Sequence, residues 1–416
     1  MSQQPAVLGK EAAVKTPAYA WVVLFALYMA TLASPLNLFK LPPVMTIIME
    51  KFNLTGTQSG DLMSIFSIMG FVLAIPAGYI LKKFGIKLTG LVSVGAVAIG
   101  SALGAVATTA RMLFFGRFIE GVGMGLIMVA APLAISLWFP AQKRALATGI
   151  WASSVGVGNV ATLVFAPSLA VAHGWQAVWW AGAGFAAAAF ILFAILFRLP
   201  RTEEKYEAPA PAAATQEKPP SLLKGMANRS FWMISIAFGC YNLVTMAMCS
   251  FLPTFLEVDR QYSRVYDKGV LMNASFVTAF IMLASIFAAP GGGRISDRLG
   301  KRKVVILTSY ILMTLTFLVP FTVTGWMIPA YMLVFGIVGG PLAPILLASV
   351  PEVAPQPALI GIGMSVAAVG QNLGMYIGPA MFIRIQEATH SWAAAGYWMI
   401  PVCILGILAT CFIKVR

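Results

Sequence analysis

The stretch Gly293-Arg-Ile-Ser-Asp297-Arg298-Leu-Gly300-Lys301-Arg302 joins two long apolar runs, and Gly78-Tyr-Ile-Leu-Lys82-Lys83-Phe-Gly85-Ile-Lys87 does the same earlier in the chain, at a numbering offset of 215 (293 less 78). Both stretches begin on glycine, are rich in basic residues and are short. About 20 apolar residues suffice for a helix to cross the hydrocarbon core, so each stretch reads as a tight turn between two membrane spans. Their spacing implies one helical unit repeated along the chain.

Composition agrees. Hydrophobic residues make up 59% of 416 and charged residues 10%, with mean hydropathy +0.86. A soluble domain carries roughly 25% charged residues, which excludes that class. In lipid every backbone polar group needs an internal partner, and apolar runs of this length satisfy that as helices. Twelve spans are predicted, at 21–43, 60–81, 88–110, 112–137, 145–168, 175–197, 230–256, 269–292, 304–324, 327–350, 358–382 and 392–413. Trp21 to Pro43 carries only Lys40, and Leu88 to Ala110 carries no charge.

From Pro200 to Pro220 the chain reads PRTEEKYEAPAPAAATQEKPP, too polar and proline-rich to bury a core of its own. The resulting organisation is an all-α membrane protein of two pseudo-symmetric six-helix bundles. It comprises a tail at 1–20, bundles at 21–197 and 230–413, a linker at 198–229 and a terminus at 414–416. With the N-terminus cytoplasmic, 20 of the 28 basic residues lie on the inner side, the distribution the positive-inside rule requires. Both termini are then cytoplasmic. The net charge of +14 is largely this orientation signal, so it implies no nucleic-acid partner and leaves membrane lipid as its counterpart. The first span is long enough to be retained rather than cleaved as a signal peptide. Cys240, Cys249, Cys403 and Cys411 fall in spans without CxxC spacing and read as packing residues. No metal or other cofactor is implied.

The stretch at 293–302 resembles the GxxxDRxGRR signature of the major facilitator superfamily, and with the twelve-span count the resemblance covers the chain. It implies alternating access of two six-helix halves around a central solute site. Gating residues are then Gly78, Gly85, Gly293, Asp297, Arg298 and Gly300. Gly293 would let flanking helices approach closely, and Asp297 would accept hydrogen bonds from a neighbouring helix N-terminus and hold the cytoplasmic side shut. Lys82 stands where the first copy would carry that aspartate, so the gate is expected to be asymmetric.

Within the spans the costliest feature is Arg117-Phe-Ile-Glu120-Gly121-Val-Gly123-Met-Gly125. Arg117 and Glu120, three apart, share a helix face, and an ionisable pair inside a membrane marks a functional site by default. The stretch resembles the RxxxGxG element of the family's fourth helix, whose arginine is associated with proton coupling or anion binding. A structural ion pair is the alternative. A substrate competing for Arg117 would change the hold of Glu120 on a proton, which would couple the two ligands. Lys40 is a second cation, placed either to bind substrate or to snorkel to the headgroups.

The fifth span carries Gly156-Val-Gly158-Asn159-Val-Ala-Thr162 before Pro167, and the eleventh carries Gly370-Gln371-Asn372-Leu-Gly374 before Pro379. Spans interrupted by Gly and Pro at corresponding positions point to a central site, with Asn159, Gln371 and Asn372 as hydrogen-bonding groups. Helix packing by the small residues is an equal reading. Tyr241 and Asn242, with Tyr28 and Trp151, are further candidates for the cavity lining.

The fifth-span stretch resembles the Gly/Asn signature of nitrate and nitrite porters, which carry an arginine in each of the second and eighth spans. Here 60–81 and 269–292 contain none, which argues against nitrate. Trp138-Phe139-Pro140-Ala-Gln-Lys-Arg144-Ala-Leu-Ala147-Thr-Gly149 resembles the WFPxxxRxxAxG of organic-anion, cyanate-type and monocarboxylate porters. Phe251-Leu-Pro253-Thr254-Phe-Leu256 is similar to the FLPTYL of anion:cation symporters. The expected function is secondary active transport of a small carboxylate-type anion, driven by protons, in a bacterial cytoplasmic membrane. A drug-type antiporter is disfavoured because the fifth span lacks GxxxGPxxGG. A transporter-like solute sensor is the other alternative. No nucleophile and base stand together in any span, so an enzyme is not expected.

Overall fold

The computed structural model describes residues 17–73, 76–200, 227–263, 272–319, 321–356 and 359–415. Most of the linker at 198–229 lies outside them, as do Arg264 and Lys268. The described residues are helical and contain no strand. In the first half run α1 (Ala18–Leu38), a 3-10 turn (Pro42–Val44), α2 (Met45–Phe52), α3 (Gly56–Leu73), α4 (Pro76–Ala105), α5 (Ala110–Trp138), α6 (Ala141–His173) and α7 (Trp175–Leu196). The second half holds α8 (Arg229–Val258), α9 (Ala274–Leu299), α10 (Arg302–Thr316), α11 (Met327–Gly339), α12 (Leu342–Val353), α13 (Ile360–Thr389), α14 (Trp392–Tyr397) and α15 (Met399–Cys411).

Local chemistry sets the ends. Side chains of Thr109, Asn228, Asn273 and Ser391 accept hydrogen bonds from the first-turn N–H groups of α5, α8, α9 and α14, groups that have no partner inside a helix. Gly85 interrupts α4 with φ 76° and ψ 168°, dividing the second span from the third. Its counterpart in the second copy of the turn, Gly300, ends α9 with φ 58°. Both glycines of the repeated turn thus have positive φ: Gly300 is left-handed helical, which costs other residues about 1–2 kcal/mol, and Gly85 lies in a region open essentially to glycine alone, which costs them about 1–3 kcal/mol.

Among the described residues, ten helical stretches are long and apolar enough to cross a membrane by themselves. The second and ninth spans complete the twelve. α3 opens on Thr57, Gln58, Ser59 and Asp61, and α10 has only 15 residues where the sequence predicted 304–324. The tenth span breaks between α11 and α12 at Gly340 and Pro341, because proline brings no N–H to the helical ladder. Cys411 ends α15 in an exposed position, unlike the buried Cys240, Cys249 and Cys403.

The duplication extends to contacts. A Cβ on Gly121 of α5 would strike Phe66 O of α3, and one on Gly336 of α11 would strike Ile281 O of α9, so both partners keep the offset of the repeated turn. Gly125 against Gly70 and Gly340 against Ser285 repeat the relation one turn on. Between the halves, α3 packs on α13 and α6 packs on α9, which are equivalent pairs. Tyr19 at the start of α1 donates to Leu196 O at the end of α7 (2.8 Å), and Arg229 at the start of α8 lies over Phe412. This end is the terminal face and the opposite end the far face. Cross-half hydrogen bonds run from mid-bundle to the far face: Asn159 Nδ2 to Met282 Sδ (3.9 Å), Thr46 to Glu257 (3.1 Å), Thr57 to Glu387, and Arg384 to Asp61 (2.9 Å). Toward the terminal face, Gly149 of α6, Gly293 of α9 and Gly361 of α13 have nothing within 4 Å of where a Cβ would stand.

Candidate functional site: a buried charge cluster in the first half

Helix α1 stops at Leu38 and leaves its last carbonyls without helical partners. Arg117 of α5 supplies them: Nη1 donates to Asn37 O (2.6 Å) and Nη2 to Leu38 O (3.2 Å). This places a cation on the negative end of the helix dipole. One turn along α5, Glu120 Oε2 accepts from Arg117 Nη1 at 2.9 Å. The chain leaving α1 then turns Lys40 inward, and its ammonium reaches Glu120 Oε1 at 2.5 Å, Asn37 Oδ1 at 2.8 Å and Ser101 Oγ at 2.8 Å. Two rings cover the cluster, Phe66 with Arg117 at 4.7 Å from its centroid and Trp179 with Lys40 at 4.8 Å.

Lys40, Arg117 and Glu120 are exposed by 1%, 1% and 0%. Two cations share one carboxylate, so the cluster carries a formal +1 in the interior of the first half. Arg117 Nε is buried without a hydrogen-bond partner. The positions of the second half that correspond to Arg117 and Glu120 under the repeat are Met332 and Phe335, exposed by only 2% and 1%. Packing of the repeated unit is therefore met by apolar side chains, and the charges are an addition to it.

The i,i+3 reading of Arg117 and Glu120 matches this geometry, whereas the snorkelling alternative for Lys40 is overturned. Its ammonium turns into the bundle because a carboxylate waits there, on α5, four helices beyond α1 along the chain. Sequence reasoning did not select Asn37, Ser101, Phe66 and Trp179. Asn37 beside Lys40 was the one local signal, and the others sit in ordinary apolar or small-residue runs.

The remaining candidates are dispersed. Asn159 faces Met282 across the α6–α9 seam with its Oδ1 buried and unpartnered. Asn372 donates to Ala368 O within α13 and lies against Gly70, and Gln371 is half-buried beside it. Asn242 donates to Phe238 O one turn back, half-buried Tyr241 packs at Gly339, and Trp151 Nε1 donates to Thr31 (2.7 Å). Gly370, Gly374 and Gly378 meet the backbone of α8 at Ser235, Gly239 and Leu243, so these small residues serve helix packing.

Two gating expectations are corrected. Gly293 makes no close approach; a helix turns about 100° per residue, and it is Gly292 that meets Pro341. Asp297 is an exposed residue paired at 3.5 Å with Arg302 of its own half. Arg302 also reaches Glu352 (3.1 Å) and Ala348 O, tying α9, α10 and α12 together, so Asp297 here braces one bundle and does not latch two. Arg298 is exposed next to it. The surroundings of Gly78 and the Lys82 side chain lie outside what the structure describes. Among the described residues no group of three or more His, Cys, Asp or Glu side chains stands together.

The family described as Major Facilitator Superfamily matches residues 27–292 and 269–416. The probable nitrate transporter NarT of Staphylococcus epidermidis is 30% identical over 275 residues, 65% of each chain. The probable sulfoacetate transporter SauU of Cupriavidus necator is 24% identical over 264 residues, 62% of this chain and 60% of that protein. The uncharacterized transporter YybO of Bacillus subtilis is 24% identical over 265 residues, 60% of this chain and 59% of that protein. The match thus spans about three fifths of the length of these curated relatives. Among solved structures, a bacterial homolog to the human lysosomal transporter Spinster superposes with TM-score 0.71 at 17% identity, covering 95% of this chain and 96% of that one.

Proposed function

The chain belongs to the Major Facilitator Superfamily, and we propose that it is a secondary transporter of a small carboxylate-type anion coupled to protons. Its family and relatives are membrane transporters and not enzymes. The observation that carries the proposal is the uncompensated charge of Lys40, Glu120 and Arg117. An ionisable side chain inside a membrane is costly, and the second half fills the places of Arg117 and Glu120 with Met332 and Phe335. The fold does not require the charges, so they are kept for a ligand. A net positive cluster attracts an anion. An incoming carboxylate that takes the Arg117 guanidinium, a fork matched to two oxygens, leaves Glu120 free to accept a proton, and the two ligands become linked.

The names of NarT and SauU point to small anions, which supports the anionic reading. The absence of arginine from 60–81 and 269–292 turns it from nitrate toward a carboxylate. Rocking of the two halves about the α3–α13 and α6–α9 seams provides alternating access. With cytoplasmic termini, contacts at the far face close the outside.

The test is internal pH in proteoliposomes holding purified protein, with small carboxylates and inorganic anions added outside. Wild type acidifies the lumen with at least one carboxylate, Arg117→Gln abolishes the response, and Glu120→Gln retains anion exchange without acidification. Proton uptake that persists in Glu120→Gln refutes the coupling, and silence toward every anion refutes the substrate class.

A further inference from the structure

We infer that the groove where α13 and Trp398 flank the far-face end of α3 binds one phospholipid with a primary-amine headgroup, drawn from the surrounding bilayer. The groove encloses 580 Å³ and is lined by Tyr376, Met381, Ile385 and Trp398, with Asp61 and Arg384 as its charged lining residues. Its lining follows α13 from Tyr376 to Thr389, and the part from Tyr376 to Arg384 runs about 12 Å at 1.5 Å per residue, against about 15 Å for one leaflet of the hydrocarbon core. An apolar trough of that length parallel to a spanning helix fits an acyl chain.

The charged pair selects the headgroup. Asp61 lies five residues inside the start of α3 and Arg384 five inside the end of α13, each about 7.5 Å below its helix end, at the level of glycerol and phosphate. Their side chains meet at 2.9 Å and are still 40% and 56% exposed. A phosphate finds the guanidinium, and an ammonium finds the carboxylate. Phosphoethanolamine carries both charges, with three N–H donors on its ammonium. Choline carries the charge without a donor, and a glycerol headgroup carries no cation. Asp61 belongs to the first half and Arg384 to the second, so the bound headgroup bridges the seam that Thr57 and Glu387 also close, and the lipid favours the state shut at the far face.

The site is tested by native mass spectrometry of delipidated full-length protein in mild detergent, offered equimolar phosphatidylethanolamine, phosphatidylcholine and phosphatidylglycerol. Wild type retains phosphatidylethanolamine about tenfold over the other two, the worth of one charge-assisted hydrogen bond. Arg384→Gln lowers retention of all three, and Asp61→Asn brings phosphatidylethanolamine down to the level of phosphatidylglycerol. Ile385→Trp fills the groove and leaves the ion pair in place, so it lowers all three even if either charge variant proves unstable in a thermal melt. Equal retention of the three lipids by wild type, a preference for phosphatidylglycerol, or retention unchanged in Ile385→Trp overturns the proposal. Because the readout is bound lipid and not flux, its failure is distinguishable from failure of the transport assignment.

Discussion

Glu120 stands between two cations, and the three members of the cluster are not equivalent. Removing the carboxylate strands Lys40 and Arg117 together in the interior, whereas removing Lys40 leaves a formally neutral Arg117–Glu120 pair. Breaking a buried ion pair by deleting one partner costs about 3–5 kcal/mol. Glu120→Gln is therefore expected to lower the melting temperature in detergent markedly and Lys40→Met to lower it less. Equal losses would show that the charge imbalance does not govern the cluster. Arg117 and Glu120 were legible from their spacing on one helix. Lys40 was legible as a cation near a helix end but not as their partner, because the return of the chain after Leu38 is a tertiary event with no local periodicity.

Among the elements, glycines separate packing from spacing. Gly374 lies against the backbone of Gly239, so Gly374→Ala pushes α13 off α8 and is expected to cost about 1–3 kcal/mol. Gly293 faces open space within α9, so Gly293→Ala is expected to stabilise by about 0.5–1 kcal/mol. Alanine at Gly85 or Gly300 must adopt positive φ and is expected to cost about 1–3 kcal/mol at Gly85 and about 1–2 kcal/mol at Gly300. Thermal melts of the four variants check the order, and an unstable Gly293→Ala would show that this position is packed in another state of the molecule. Apolar runs bounded by charged turns made the spans legible, since length and hydropathy alone decide insertion. Which glycine in a run meets a neighbour depends on helix rotation and was not legible; Gly292 and Gly293 differ only in that.

At the scale of the molecule, duplication and the twelve spans followed from hydropathy and the repeated turn, but the pairing of α3 with α13 did not. Gly56, Gly60 and Gly70 meet Glu387, Ile383 and Asn372 in antiparallel register, a complementarity between segments near opposite ends of the chain. The far-face contacts Asp61–Arg384 and Thr57–Glu387 should hold that seam closed. A partly exposed charge pair such as Asp61–Arg384 contributes about 0.2–1 kcal/mol, and the Thr57–Glu387 hydrogen bond adds to it, so Asp61→Asn with Glu387→Gln is expected to speed labelling of a cysteine at Asn372 by at least about two- to fivefold. An impermeant thiol reagent added on the far side, after Cys411→Ser removes the exposed native thiol, measures this. An unchanged rate would place the closing contacts elsewhere.

The formal +1 held by Lys40, Glu120 and Arg117 belongs to one half only, and this has an electrical consequence. A full elementary charge crossing about 100 mV is worth about 2.3 kcal/mol. If the first half carries its cluster through even a tenth of the field as it rocks, the solute-free molecule rearranges at a rate set by voltage. A transient current without substrate, abolished in Lys40→Met, is then expected on a solid-supported membrane, and the resting potential of the cell would bias which way the empty carrier faces.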